Sequence, residues 1–325
     1  MRFSCVRPMA AALSLALAFA TGASAQEAWP TKPIKLIVPF AAGGPSDVVA
    51  RHVAAAMTKD LGQQVIVDNK PGAGASLGVA IAARAPADGY TLLLGHSASI
   101  SATAQMRKVS YDPRTDLVPI ATFAANFTLL IARKDFPANN IAELKAMALK
   151  APDTVSCGTA GPGSGGHMAC ELFAELAGVK LLMVHYKGSS EALVDILGGR
   201  TDLGFDPSAL PRVKEGAVKV LATRSEGGKR FAGTPDIPSF AEQGLPDMTD
   251  ELWFGLLAPA GTPAAIVQRV AAVAKSFVNA PDTAAKLMTY SLYPVYAGPD
   301  ELKARMEKDW EFFGNLISRH NLRLD

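Results

Sequence analysis

Apolar and polar positions come in alternating blocks along the chain. Ile34-Lys35-Leu36-Ile37-Val38 is a nearly continuous apolar run, the pattern of a buried strand. The stretch 39–45 is rich in glycine and proline and reads as a turn. Over 46–61, Val48, Val49, Val53 and Met57 recur at helical spacing. A strand at 64–67, a glycine loop at 69–74, a small-residue helix at 76–84 and a third strand at 91–94 follow. The cycle then restarts, with strands at 127–132, 154–157, 181–185, 202–205 and 218–222 and helices at 141–150, 166–177 and 190–197 between them. Strands separated by helices imply parallel sheets, and two such series imply two α/β lobes. The tail differs. After a strand at 253–258, only helices are expected, over 263–278, 281–289 and 299–319, each beginning beside a proline. This tail is expected to pack on the first lobe, so the chain crosses between lobes twice.

The N-terminus sets a compartment. Arg2 and Arg7 precede a run of small and apolar residues from Met9 to Ala20, and Ala23-Ser24-Ala25 then offers the small residues of a cleavage site. This is the order of a secretory signal, and the apolar run is too short to span a bilayer. Cys5 precedes that run, so it is not placed as a lipid-attachment cysteine. An exported chain in a bacterial periplasm is expected. The formal charge of +2 is carried by Arg2 and Arg7, so the remainder is neutral. With no basic block, nothing supports nucleic-acid binding, and an anion must be held by local geometry. Cys157 and Cys170 are the other cysteines. The compartment permits a disulfide, but spacing leaves a bridge and two buried thiols both open. No metal-ligand spacing is present, and neither metal nor cofactor is expected.

Two glycine turns carry the candidate chemistry. Phe40-Ala41-Ala42-Gly43-Gly44-Pro45-Ser46-Asp47 joins a strand to a helix. Free first-turn N–H groups at a helix start suit a carboxylate or phosphate. Ser46 adds a hydroxyl, and Asp47 reads as a cap or a holder of water. The bland alternative is a tight turn that binds nothing. The second turn runs from Gly158 to His167, with Thr159 and Ser164 as hydroxyls, Gly163 giving close approach, and His167 either entering a cleft or packing. Two anion-ready turns, one per lobe, suit a ligand with a charge at each end. Tyr186, Lys187 and Asp206 follow later strands. Tyr186 offers an aromatic wall and Lys187 a counter-charge or a solvated lysine. Asp206 could bridge the hinge, meet a ligand amine or cap a helix.

Two motifs nearly match other chemistry. Gly161, Gly163 and Gly166 satisfy G-x-G-x-x-G, but the next strand ends in His185-Tyr186 rather than an acid, which argues against a dinucleotide. Gly95-His96-Ser97-Ala98-Ser99 approaches a nucleophile elbow, with Ser99 where the last glycine belongs. Ser97 is therefore either the nucleophile of an exported hydrolase or a hydrogen-bonding loop serine.

Taken together, several segments resemble the Bug/TctC receptors, the periplasmic substrate-binding proteins of tripartite tricarboxylate transporters. They are 29–34 with 38–51, Leu61-Gly62-Gln63, Asn69-Lys70-Pro71-Gly72-Ala73-Gly74, 86–93, 184–188, 197–202 and 253–263. The resemblance covers essentially the whole chain after the leader. It implies a type II, two-lobed Venus-flytrap fold, each lobe a mostly parallel sheet flanked by helices. The implied division is a leader at 1–25, lobe 1 at 26–125, lobe 2 at 126–248, and lobe 1 again at 249–325.

The resemblance also implies a non-enzymatic solute receptor that closes on a di- or tricarboxylate, an acidic amino acid or an aromatic acid. As partners it implies membrane permease subunits, and a monomer is expected. A ligand-binding partner of a sensor is the related alternative. The ligand contacts the resemblance implies are Phe40, Ala41, Ala42, Gly43, Gly44, Ser46 and Asp47 in the first lobe and Thr159, Gly163, Ser164 and His167 in the second; Ser97, Tyr186, Lys187 and Asp206 join them as candidates read from the residues alone. Three departures sit near this region: His96 interrupts a serine-rich loop, the second turn is unusually rich in glycine, and Pro207 replaces an asparagine after Asp206.

Overall fold

The structure is a computed structural model, and it describes residues 29–43, 45–224, 229–248, 252–290 and 292–323. The leader and Gly44 lie outside these residues. In chain order the elements are β1 (Ile34–Val38), α1 (Pro45–Leu61), β2 (Val65–Asn69), α2 (Ser76–Ala83), β3 (Thr91–His96), α3 (Thr103–Met106), β4 (Leu117–Asn126) and β5 (Thr128–Arg133). Then come α4 (Ile141–Lys150), β6 (Ser156–Thr159), α5 (Gly165–Ala177), β7 (Leu182–His185), α6 (Ser189–Leu197), β8 (Leu203–Phe205), α7 (Leu210–Lys214) and β9 (Val218–Arg224). The tail holds β10 (Trp253–Pro259), α8 (Ala264–Asn279), α9 (Thr283–Met288), β11 (Leu292–Tyr293) and α10 (Pro299–His320).

Two sheets form, ordered β11-β4-β10-β3-β1-β2 and β7-β6-β8-β5-β9. Each has a parallel core of three strands, β2-β1-β3 and β7-β6-β8. The strands that carry the chain between sheets add antiparallel pairs: β10 against β3 and β4, and β5 against β8 and β9. The sheets are thus mixed, because a strand entering from the other lobe arrives in the reverse direction. All seven residues of β10 are buried, as expected of a central strand covered on both faces.

One face of the first sheet packs on α1 and α8 through Val49, Val53, Met57, Val267, Val270 and Phe277. Its other face packs on α2 and α10 through Val79, Ala82, Leu302 and Met306. The second core gathers Cys157, Phe173, Leu172 and Phe205. Cys157 and Cys170 are joined by a disulfide, which settles what spacing left open.

The connection from β4 to β5 is Phe127 alone. β4 runs parallel to β3, since both oppose β10, so its end at Asn126 lies with the carboxyl end of β3. β5 opposes β8, so its start at Thr128 lies beside the carboxyl end of β8. The carboxyl edges of the two parallel cores therefore meet across Phe127. Close approaches agree: a Cβ on Gly165 would sit 3.6 Å from His96 Cε1, and one on Gly74 would sit 3.9 Å from the Pro162 carbonyl oxygen.

The tail does more than return to the first sheet. A helix of 22 residues is about 33 Å long. The first half of α10 lies on the first sheet, where Asp309 accepts from Trp253 Nε1 at 2.7 Å. Its end reaches α5, with Arg319 3.0 Å from Glu175 and His320 3.2 Å from Glu171.

Candidate ligand-binding site

The first turn is shaped from inside by Asp47. This residue is 3% exposed. Its Oδ2 accepts from the Gly43 N–H at 2.9 Å and from Arg51 Nε at 3.0 Å, and its Oδ1 accepts from Asn69 Nδ2 at 3.0 Å. The same Asn69 nitrogen donates to the Phe40 carbonyl at 3.1 Å. Burial alone would raise the Asp47 pKa, but the Arg51, Gly43 and Asn69 bonds outweigh it and hold the carboxyl below its ordinary value. Asp47 and the Gly43 N–H, both expected at the ligand, are thus spent on the turn itself. Gly43 has φ +82°, which a side chain would strain. Ala41 and Ala42 are exposed, and Ser46 is half-buried at the start of α1.

Beside this turn, β3 ends in His96, whose ring meets Phe40 edge-on at 6.1 Å and Phe254 at 4.8 Å between centroids. Desolvation pushes the His96 pKa down to about 4, so the ring is neutral near pH 7. Ser97 is 1% exposed, and its hydroxyl has no hydrogen-bond partner among the described residues. The hydrolase alternative needs a base there. His167 accepts from Gly163, His185 bonds Thr159 and His320 faces Glu171 and Glu175, so none of these serves Ser97.

The second turn leaves β6 at Thr159 and enters α5. Gly161 and Gly163 adopt φ of +108° and +77°, which lets the chain fold back tightly. The Ser164 Oγ caps the helix by accepting from the His167 N–H at 3.2 Å. The buried His167 Nδ1 accepts from the Gly163 N–H at 3.0 Å, which leaves the proton on Nε2, 3.4 Å from Glu171 Oε1. Gly163 and His167 therefore satisfy each other. Thr159 Oγ1 lies 2.8 Å from His185 Nδ1 and accepts from the Gly161 N–H at 3.3 Å.

Tyr186 faces its own lobe. Its hydroxyl bonds Asp195 Oδ2 at 2.8 Å and Thr201 Oγ1 at 2.7 Å, and its ring backs Gly158. Its hydroxyl is thus committed within its own lobe, and its ring braces β6. Lys187 is exposed, and its backbone N–H donates to Glu191. Asp206 begins a short helical turn, its Oδ1 accepting from Ser208 N–H at 2.9 Å and Ser208 Oγ at 2.6 Å.

Two residues at the same edges escaped the sequence reading. Asn126 ends β4, and its side-chain oxygen is buried with no partner among the described residues. Arg224 ends β9, 4% exposed, with Nη2 3.4 Å from Thr128 Oγ1. A charge placed after the apolar stretch Val220-Leu221-Ala222 was the available signal for Arg224. Hollows of about 320 and 520 Å³ also exist, but they lie along α10 and include no residue of either turn.

Comparison with known proteins places this architecture. The family described as "Tripartite tricarboxylate transporter family receptor" matches residues 49–322. The solved structure of R. palustris Rpa4515 with adipate is 31% identical, with a TM-score of 0.81, covering 89% of this chain and 97% of that one. That of the periplasmic binding protein BugD is 34% identical, with a TM-score of 0.80, covering 91% and 99%. MatC from Rhodopseudomonas palustris with bound malate is 31% identical, with a TM-score of 0.80, covering 89% and 100%.

Proposed function

The chain belongs to the tripartite tricarboxylate transporter receptor family, and from that premise we propose that it captures a small carboxylate between its two lobes. One observation carries this reading. Each lobe presents a glycine turn that opens onto a helix start, and the two strand edges bearing these turns meet at Phe127. Helix starts supply N–H groups and partial positive charge, which suit a carboxylate at each end of a short ligand. Ala41, Ala42 and Ser46 take one acid group with Ser97, whose buried hydroxyl is uncommitted. The Ser164 hydroxyl and the turn from Thr159 to Gly163 take the other. Adipate and malate, named with two relatives, are dicarboxylates, which supports the same class here.

The magnitudes are adequate. A hydrogen bond to a charged group contributes about 1.5–3 kcal/mol net, and micromolar affinity needs about 8 kcal/mol. A few such bonds suffice if lobe closure and ligand ordering are not too costly. Closure about Phe127 is then the shape that membrane permease subunits read. Export through the N-terminal leader places the receptor in the periplasm, in keeping with its relatives. Among the described residues no helix is long and apolar enough to cross a membrane.

The test is a thermal-shift screen of the chain without its first 25 residues. Small di- and tricarboxylates should raise the melting temperature, because a ligand that binds only the folded state stabilises it. A screen in which no organic acid shifts the melting point would refute the proposal.

A further inference from the structure

Most of the groups assembled at these edges are donors: free helix-start N–H groups and the hydroxyls of Ser46, Ser97 and Ser164. Asp206 breaks that pattern. It follows β8 directly, and its N–H donates to the Leu129 carbonyl at 3.2 Å. Gly158 pairs with Gly204, so Phe205 and Asp206 run alongside Thr159 and Ala160, where the second turn begins. On the other side the start of α5 is close, since a Cβ on Gly166 would lie 3.3 Å from the Phe205 carbonyl oxygen. The Asp206 residue is 9% exposed. Oδ1 is saturated by Ser208, whereas Oδ2 is buried with no partner among the described residues.

A buried carboxylate oxygen without a donor is costly. The local turn explains one oxygen and leaves the other. We infer that Asp206 Oδ2 receives a hydrogen-bond donor from the ligand, so the preferred carboxylate also bears an amino or hydroxyl group. This rests on the receptor reading given above. Carboxylate groups meet N–H groups and hydroxyls elsewhere in the cleft, while Asp206 repels a further acid group placed against it. Discrimination thus comes from both the attraction and the repulsion. Desolvation raises the Asp206 pKa, in keeping with an acid that lacks a compensating cation. Were Oδ2 to carry a proton and donate, the 2-amino derivative, whose ammonium group can only donate, would lose its advantage over the parent acid.

The experiment is calorimetric titration of the leaderless chain with matched acids. Unsubstituted diacids of increasing length identify a binder, and its 2-hydroxy and 2-amino derivatives are then compared with it. The inference expects one derivative to bind about tenfold more tightly than the parent. Preference for the hydroxy or the amino derivative identifies the donor. In Asp206→Asn, which keeps an oxygen for Ser208, that preference should shrink to within about threefold while the parent acid still binds. Equal affinity for parent and derivatives in the natural chain overturns the inference without needing any variant. A preference that survives intact in a folded Asp206→Asn overturns it as well. Failure of every acid to bind is a different result, which refutes the receptor reading and this inference with it.

Discussion

The Gly43 N–H donates to Asp47 Oδ2 at 2.9 Å, so the acid of the first turn holds its own loop. The same carboxylate gathers Arg51 and Asn69 and thereby ties the start of α1 to the end of β2. Asp47→Ala should therefore cost about 2 kcal/mol in urea unfolding, discounted because Arg51 is largely exposed. The variant should also weaken ligand capture by loosening the turn. The sign with pH follows from the depressed pKa. The Asp47 contribution is present above the ordinary carboxylate value of 3.8 and is lost as pH falls through its lower folded value. Stability that does not change on substitution would show that the turn holds itself without Asp47.

His96 predicts a separate pH dependence. Its folded pKa is pushed from 6.5 down to about 4, so between these values the unfolded chain binds a proton that the folded chain refuses. The stability due to the neutral ring is whole above pH 6.5 and declines as pH falls toward 4, by an upper estimate of about 3 kcal/mol. Replacing His96 with Phe should flatten melting temperature against pH over this interval. An unchanged slope would assign the acid sensitivity to other groups.

Gly78 lies in α2 where the helix touches the strand leading to the first turn. A Cβ there would sit 2.7 Å from Pro39 Cβ and 2.8 Å from the Lys70 carbonyl oxygen. Backbone on one side and a proline ring on the other leave little room for adjustment. Gly78→Ala is expected to destabilise the protein by about 1–3 kcal/mol in chemical denaturation. A neutral effect would mean that α2 can slide away from Pro39.

The disulfide closes the second turn into a ring, with Cys157 and Cys170 both buried. Loss of a cross-link over a loop of this size costs about 3 kcal/mol in the chain-entropy picture. Cys157→Ser with Cys170→Ala should lower the melting temperature by several degrees and weaken ligand binding. Reductant should act slowly on the native chain, since both sulfurs are shielded. Equal melting of the natural and substituted chains would remove the bridge from the account.

Legibility in the sequence followed the range of the interactions. The glycine turns and helix starts were readable because positive φ and capping are local demands, as at Gly163 and Ser164. β4 was not. It holds Pro119 and the small residues Ala121, Ala124 and Ala125, and a strand buried on both faces lacks alternation. Pro119 is tolerated at a shift in register, where Leu256 pairs with Ala121 but Leu257 pairs with Pro119. Missing β4 also hid Asn126. The directions of Asp47 and Tyr186 depend on Asn69 and Thr201, distant partners that no local pattern announces.

The most direct trial of the central claim is calorimetric titration of a bound diacid against the natural chain and two single variants. Ser46→Ala removes a hydroxyl from the first turn. Ser164→Gly removes one from the second at little capping cost. If one ligand is gripped from both lobes, each variant should bind it about tenfold more weakly while still folding. Affinity unchanged in either variant would contradict capture between the two turns.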